Sequence, residues 1–507
     1  MTDENMSGGF DMLSSAEAKI DVTNPWGDDA LGREKFAKHL TDLVNSAGNV
    51  PFCVAVDGGW GSGKTFFLKR WRTEFAKKDK AASEQGNVIY FDAWEDDFHV
   101  DPLTAIIGQL WKEIKSPVFK EICDSVKENW ETIIGKTVKT ACHYYGPGLV
   151  PDLTSGDLQT VSRKIVGEYL ETRQSIDELK KLLKELADKT KKETNKPLVI
   201  VVDELDRCRP TFAIELLERV KHVVGVPGVV FVFGVNLKEL EKSIKSVYGD
   251  IDSEDYLRRF FHPPFLALPQ AGASKYCRYL MDKQGIGKKI GGNPVHKETF
   301  EKGAWTSAMK TMPPMAGYME LSLRQTEQAV SMLLFILSSQ EITDRRDEYE
   351  FEGYLMILIL LRIKDRDLYE KFFDERRTVQ DAINTTMDAM FDFLPWEKVR
   401  GDKDSEEKDC IATIVHAFYS FYGEKECKNI KQELMHASDE AHSKAKSLEQ
   451  YDYVPSRIIG IQDLDARRDV IRILINVGDG LKMNHQSAYA SREKIAQLLE
   501  WGDYWQE

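Results

Sequence analysis

An uninterrupted apolar run, Cys53 to Val56, ends in Asp57 and breaks at once into Gly58-Gly-Trp-Gly-Ser-Gly63-Lys64-Thr65. A helical pattern, "KTFFLKRW", follows. This strand, loop and helix fit GxxxxGK[ST], and the fit limits what the chain can fold into. Glycines let consecutive backbone N–H groups turn inward around an anion. A helix opening at the end of the loop adds its free amides and its dipole. A phosphate is the ligand such a cradle suits. Lys64 would place a cation at the β and γ phosphates, and the Thr65 hydroxyl would join a Mg2+ shell. Trp60 is an odd bulky residue among the glycines.

Hydrolysis needs a carboxylate at the end of a neighbouring strand. "LVIVVDELD" offers Asp203 after five apolar residues, with Glu204 next. The economical reading puts Asp203 on the metal shell and Glu204 on the attacking water. Asp206, in the same turn, is a rival base, and so are Glu95 to Asp97 at the end of "NVIYFDAW". A lone acid after a strand is also a common helix cap. Asn236 ends the run "PGVVFVFGVN", where it either orients water or makes a turn. Arg258 and Arg259 in "YLRRFF" either reach a neighbouring copy's nucleotide or form surface salt bridges. Arg324 in "LSLRQTEQ" opens a helix past the strands, where it could touch phosphates of its own chain.

The strands read as continuous Val/Ile/Phe stretches, the pattern of strands covered on both faces of a parallel sheet. They alternate with helical patterns from 50 to about 265. The predicted fold class is therefore α/β: a P-loop NTPase core with a parallel sheet and a helical insertion, then an α-helical C-terminal domain. Expected boundaries are a disordered lead at 1–20, the nucleotide domain at 21–270 with its insertion at about 102–195, a helical lid at 271–340 and a helical domain at 341–507. In the insertion, Ile176, Leu179, Leu183 and Leu186 form a helix stripe, which packs on its own domain or docks a partner.

Composition excludes several classes. The formal net charge of -14 disfavours a protein that coats nucleic acid, although a local basic groove remains compatible with it. Seven scattered cysteines without a CxxC pair indicate reduced thiols rather than a disulfide scaffold or zinc site. The acidic N-terminus does not read as a signal peptide. The longest apolar run, Tyr354 to Leu361, is far short of the roughly 20 residues a membrane span needs, so it reads as a core helix. The expected location is the cytoplasm. There is no HxE…CxxC, HExxH or paired-histidine signature of a nuclease or deaminase.

Taken together, these segments resemble the KAP family of P-loop NTPases, in the additional-strand group alongside AAA+ and STAND proteins. "ALGREKFAKHL" looks like the family's lead helix, with Gly32 and Arg33 near the base. "GGWGSGKTFFL" resembles its phosphate loop, tryptophan included, and implies nucleotide contacts from Gly58, Gly59, Trp60, Gly61, Ser62, Gly63, Lys64, Thr65 and Phe66. "YFDAWEDD" is similar to its Ala-Trp strand motif, with Asp92 where Asn is usual. "DELDRCRP" resembles its Leu-Asp-Arg-Cys turn, with Glu204 for the usual second Asp. The resemblance covers roughly residues 20 to 330. Asn236 and Arg259 sit where related ATPases place a sensor and an intersubunit arginine. Many members carry transmembrane helices between the two nucleotide motifs; this chain has no spanning segment there, so no membrane is expected.

The resemblance implies ATP and Mg2+ as ligands, a homo-oligomer, and, for soluble bacterial members, a partner effector in antiviral defence. The absence of an NKxD-type guanine signature also favours ATP. Two functions compete: a motor or switch ATPase, and a nucleotide-ordered scaffold with weak hydrolysis.

Overall fold

The computed structural model describes residues 20–47, 50–78, 81–84, 87–98, 102, 105, 106, 108, 109, 176–262 except 178, 265–270, 272–286, 307–337, 349–373 and 393. The expected disordered lead, most of the insertion, and the segments "CIATIVHAFYSFY" and "DVIRILINVG", which the sequence pattern predicts to be helices of the C-terminal domain, lie outside them. So does the "WGDYWQE" tail. The described residues fall into two compact units, one within Ala18–Gln270 and the other after Gln270.

The first unit is built on β1 (Phe52–Asp57), β4 (Val88–Asp92), β5 (Leu198–Asp203), β6 (Val229–Val235) and β7 (Leu266–Ala267). They form one sheet in the order β4-β5-β6-β1-β7, with every pairing parallel. β6 therefore lies between the strand that leads into the glycine loop and the strand that ends in Asp203. A small antiparallel pair, β2 (Lys77–Lys78) and β3 (Ala81–Glu84), stands apart from the sheet. The sequence signals indicated neither this pair nor the two-residue β7.

The continuous apolar strands are explained by cover on both faces. Alternate residues of each strand enter opposite cores. Cys53, Ala55, Ile200, Val202, Phe231 and Phe233 share one core with α3 (Pro210–Val224) and α4 (Leu237–Tyr248). Val54, Val56, Val199, Val201, Val230 and Val232 share the other with α1 (Glu34–Ala47) and α2 (Lys64–Phe75). In α1, the buried residues Ala37, Leu40 and Val44 recur at helical spacing. In α2, Trp71 is fully buried and its indole donates to the Thr41 hydroxyl at 3.0 Å, fixing α2 against α1.

The leucine stripe of the insertion is settled here. Leu179, Leu183 and Leu186 are buried in the core that contains Ile200 and Phe231, with Ile176 packed at its margin. That face covers its own sheet and is closed to a partner.

The second unit is helical where described: α6 (Ala273–Lys283), α7 (Ser307–Tyr318), α8 (Leu323–Leu337), α9 (Tyr349–Lys364) and α10 (Arg366–Phe373). In α9 every residue from Leu355 to Leu361 is buried. A helix apolar all round is a central core helix, as the run predicts. No helix among the described residues is long and apolar enough to cross a membrane. Cys53, Cys208 and Cys277 are buried free thiols.

Candidate functional site

The parallel register brings Asp92, Asp203 and Gly234 side by side, and Asp57 level with Val235, at the C-terminal ends of β4, β5, β6 and β1. Open α/β sheets present their ligand crevice at this edge. The glycine loop leaves β1 here and ends at Gly63, the residue before α2, whose φ of 78° only glycine adopts without strain. Lys64 opens α2, so the helix N-terminus faces the loop.

Arg33 braces the loop from behind. Its Nη2 donates to the carbonyls of Ser62 at 2.7 Å and Pro269 at 3.2 Å, and Nη1 reaches the Gly63 carbonyl at 3.4 Å. The guanidinium is buried. By consuming the outward carbonyls it favours N–H groups turned to the inner side. Lys64 is also buried, and its Nζ donates to the Gly58 carbonyl and, at 3.4 Å, to that of Gly59. Burial lowers its pKa, while the charges of Asp206, Asp203 and Asp57 oppose the drop. The side chain of Asp57 accepts from the Leu237 N–H at 2.9 Å and so anchors the start of α4 beside the loop.

Asp203 is fully buried. Its Oδ2 accepts from the Tyr90 hydroxyl on the adjacent strand at 2.7 Å, and its Oδ1 from the Glu204 N–H at 2.9 Å. Burial pushes its pKa up to about 6, against the pull of the Tyr90 and Thr65 hydroxyls. Tyr90 is itself raised, first by burial and then by the Asp203 charge. Gly234 leaves the room this carboxylate occupies: a Cβ there would lie 2.4 Å from Asp203 Oδ1 and 2.5 Å from Leu68 Cδ1.

Glu204 follows in the left-handed region, φ 59° and ψ 24°. That conformation costs a non-glycine residue about 1–2 kcal/mol, and such strain clusters at functional sites. It directs the carboxylate to the start of α2, where Oε1 accepts from the Thr65 hydroxyl at 3.0 Å. The other oxygen, Oε2, pairs with Arg207 at 2.9 Å. The Arg207 guanidinium lies over the Trp94 ring, 5.6 Å from its centroid.

The same turn explains the two tandem motifs. The Asp203 carbonyl accepts from the Ala93 N–H at 3.0 Å. Asp92 Oδ1 accepts from the N–H groups of Trp94 and Glu95, so Asp92 caps its own turn. Asp97 clamps Arg209, taking the backbone N–H and Nε at 2.9 Å each. Glu95 is exposed. Asp206 accepts from Trp60 Nε1 at 2.7 Å, so the loop tryptophan touches the acidic turn directly.

The remaining predicted residues are more scattered. Asn236 is buried at the junction of β6 and α4, and its side chain makes no capping bond to that helix. Gly58, Gly59, Gly61 and Phe66 lie in the loop and first turn; the Phe66 ring is covered by the Arg70 guanidinium at 4.4 Å. Arg258 and Arg259 follow α5 (Ser253–Leu257) and are exposed, paired along the chain with Glu254 at 2.6 Å and Asp255 at 3.7 Å. Arg324 belongs to the second unit, beside Glu327, whose pKa burial raises. Sequence reasoning missed Tyr90, Arg207 and Gly234. Arg207 stands in the quoted Leu-Asp-Arg-Cys turn, and Tyr90 lies two residues before Asp92 on the same face of its strand, but neither signal marks a role at the site.

Among the described residues no group of three or more His, Cys, Asp or Glu is arranged to hold a metal. The donors present, a hydroxyl and one buried carboxylate, are hard oxygens of the kind Mg2+ takes when phosphates complete its shell. The residues fit that ion.

No curated protein matches the chain. The family model described as the KAP family P-loop domain matches residues 33–343, more than half of the sequence and every motif of the sheet edge. The crevice at the ends of β1, β5 and β6, with its loop, lysine and buried aspartate, is the candidate site for a nucleotide, and the chain belongs to the KAP family of P-loop NTPases.

Proposed function

We propose that the chain binds ATP with Mg2+ and hydrolyses it, acting as a motor or switch ATPase in a homo-oligomer that works on a partner effector protein, in antiviral defence. One observation carries the hydrolytic reading: the Thr65 hydroxyl and the Glu204 carboxylate meet at 3.0 Å across the ends of neighbouring elements. A metal-ligand position and a candidate base therefore share one corner of the site, beside buried Asp203.

In this reading the loop amides and Lys64 hold the β and γ phosphates, and Thr65 and Asp203 hold the ion, which neutralises developing charge. Tyr90 and the Glu204 N–H fix the orientation of the Asp203 carboxylate. Glu204 accepts the proton of the attacking water; Asn236, at the end of β6, orients that water. Arg33 serves the nucleotide by bracing the loop. Arg259 is the intersubunit arginine: its ion pair is exposed, and such pairs are worth little, so the side chain is cheaply redirected. The location is cytoplasmic.

The scaffold reading also has an observation in its favour. Arg207 holds the second oxygen of Glu204 at 2.9 Å, an ion pair that slows a base until it is broken. The test is ATP turnover of the purified protein beside Glu204→Gln, with oligomeric state measured in both. Turnover in the wild type and its loss in the variant support the ATPase. Equal inertness of the two, with ATP still driving oligomerisation, supports the scaffold.

A further inference from the structure

Trp60 stands in the glycine loop and is 53% exposed, so burial does not explain a large indole there. What it does make is one directed contact, from Nε1 to Asp206 Oδ2 at 2.7 Å, a charge-assisted hydrogen bond of short length. Asp206 is only 7% exposed. Its other oxygen, Oδ1, is buried and takes no hydrogen bond among the described residues. An orphan of that kind in a native core calls for a reason. The same three-residue turn, Leu205–Arg207, carries Asp206 and follows directly on Glu204.

The bond thus joins two segments that the sheet holds apart. The loop continues β1, the acidic turn continues β5, and β6 separates them. Lys64 belongs to the first segment and Glu204 to the second. Gly61 and Gly63 have φ of 73° and 78°, so the loop beside Trp60 lacks side chains that would stiffen it.

We propose that Trp60 and Asp206 form a latch that clasps the phosphate loop to the acidic turn and sets the spacing between Lys64 and Glu204. Both are positioning residues: neither touches the reacting atoms, and each acts through the side chains it places. The inference rests on the nucleotide-hydrolysing reading of the site. It gives the half-exposed tryptophan a role in the rate rather than in affinity, because a small change of spacing at the reacting centre affects attack far more than phosphate binding.

The test uses the full chain with Trp60→Phe, which keeps the ring and removes the N–H, Asp206→Ala, and the double variant. ATP affinity is read by calorimetry, and kcat and KM by phosphate release. Trp60→Phe should lower kcat roughly tenfold while changing ATP affinity less than about threefold, as expected for loss of one hydrogen bond to a charged group. The double variant should be no slower than Asp206→Ala alone, because the two residues share one interaction. Asp206→Asn, which retains an acceptor oxygen, should recover part of the loss seen with alanine. Trp60→Phe lies at an exposed position and keeps the fold, so its result decides even if Asp206→Ala does not fold. Unchanged kcat in Trp60→Phe, or losses that multiply in the double variant, would overturn the latch while leaving hydrolysis intact. A wild-type protein that releases no phosphate from ATP would overturn both.

Discussion

Gly234→Ala is a one-methyl change whose cost can be worked from distances. The added Cβ would lie 2.4 Å from Asp203 Oδ1 and 2.5 Å from Leu68 Cδ1, where ordinary contacts begin near 3.4 Å. Something must move by roughly 1 Å, and neither neighbour has free space, since Asp203 and Leu68 are both fully buried. Overpacking of this size costs about 1–3 kcal/mol. Displacing the carboxylate also loosens its bonds from Tyr90 Oη at 2.7 Å and Glu204 N–H at 2.9 Å, so the total should reach about 2–4 kcal/mol. A 1 Å error in a group that orients the reaction costs about a hundredfold in rate. Urea denaturation would measure the first effect and phosphate release from ATP the second. The reasoning makes a further demand. In an Asp203→Ala background one of the two clashing atoms is gone, so Gly234→Ala should cost markedly less there. A wild-type midpoint and turnover in Gly234→Ala, or the same penalty in both backgrounds, would refute the steric account.

Tyr90→Phe removes the donor to a buried carboxylate oxygen without changing the packed ring. It should cost about 1.5–3 kcal/mol near neutral pH, read from denaturation midpoints, and raise the Mg2+ concentration that turnover requires. The pH dependence of the metal-free protein follows from the raised pKa of Asp203, about 6 against an ordinary 3.8. The folded state holds this proton more tightly than the unfolded chain. The contribution is therefore fully present below about pH 4, and stability falls as pH rises through about 6, by roughly 3 kcal/mol in all. In Asp203→Asn that fall should be missing, and a midpoint-against-pH series in chelator compares the two.

The two-faced sheet was legible because burial on both sides leaves an unbroken apolar run, and the runs ending at Asp57, Asp203 and Asn236 are such strands. The loop was legible because phosphate binding by backbone amides demands glycines at fixed places. Strand order was not legible in the strands themselves. β6 follows β5 in the chain yet separates it from β1, an arrangement that no local signal in the sequence indicates. Register was equally hidden, and with it the pairing of Tyr90 with Asp203 across 113 positions and the need for a bare Cα at Gly234. The left-handed backbone of Glu204 has no marker in the sequence, since glycine and asparagine are the usual signs of it. The acids after β4 looked alike as candidate bases. The structure separates them by partner: Asp92 caps its turn, Asp97 holds Arg209, and Glu95 faces solvent. Likewise Asp206 reads in sequence as a rival base, whereas its bond to Trp60 shows which neighbour it serves.

The central claim is that the glycine loop and the β5 turn together hold a nucleoside triphosphate and cleave it. It is tested most directly by titrating ATP with Mg2+ into the wild-type chain, Lys64→Ala and Glu204→Gln while following phosphate release from the same samples. The account predicts saturable binding and release by the wild type, binding without release by Glu204→Gln, and neither by Lys64→Ala. Equal ATP affinity in the wild type and Lys64→Ala would contradict it.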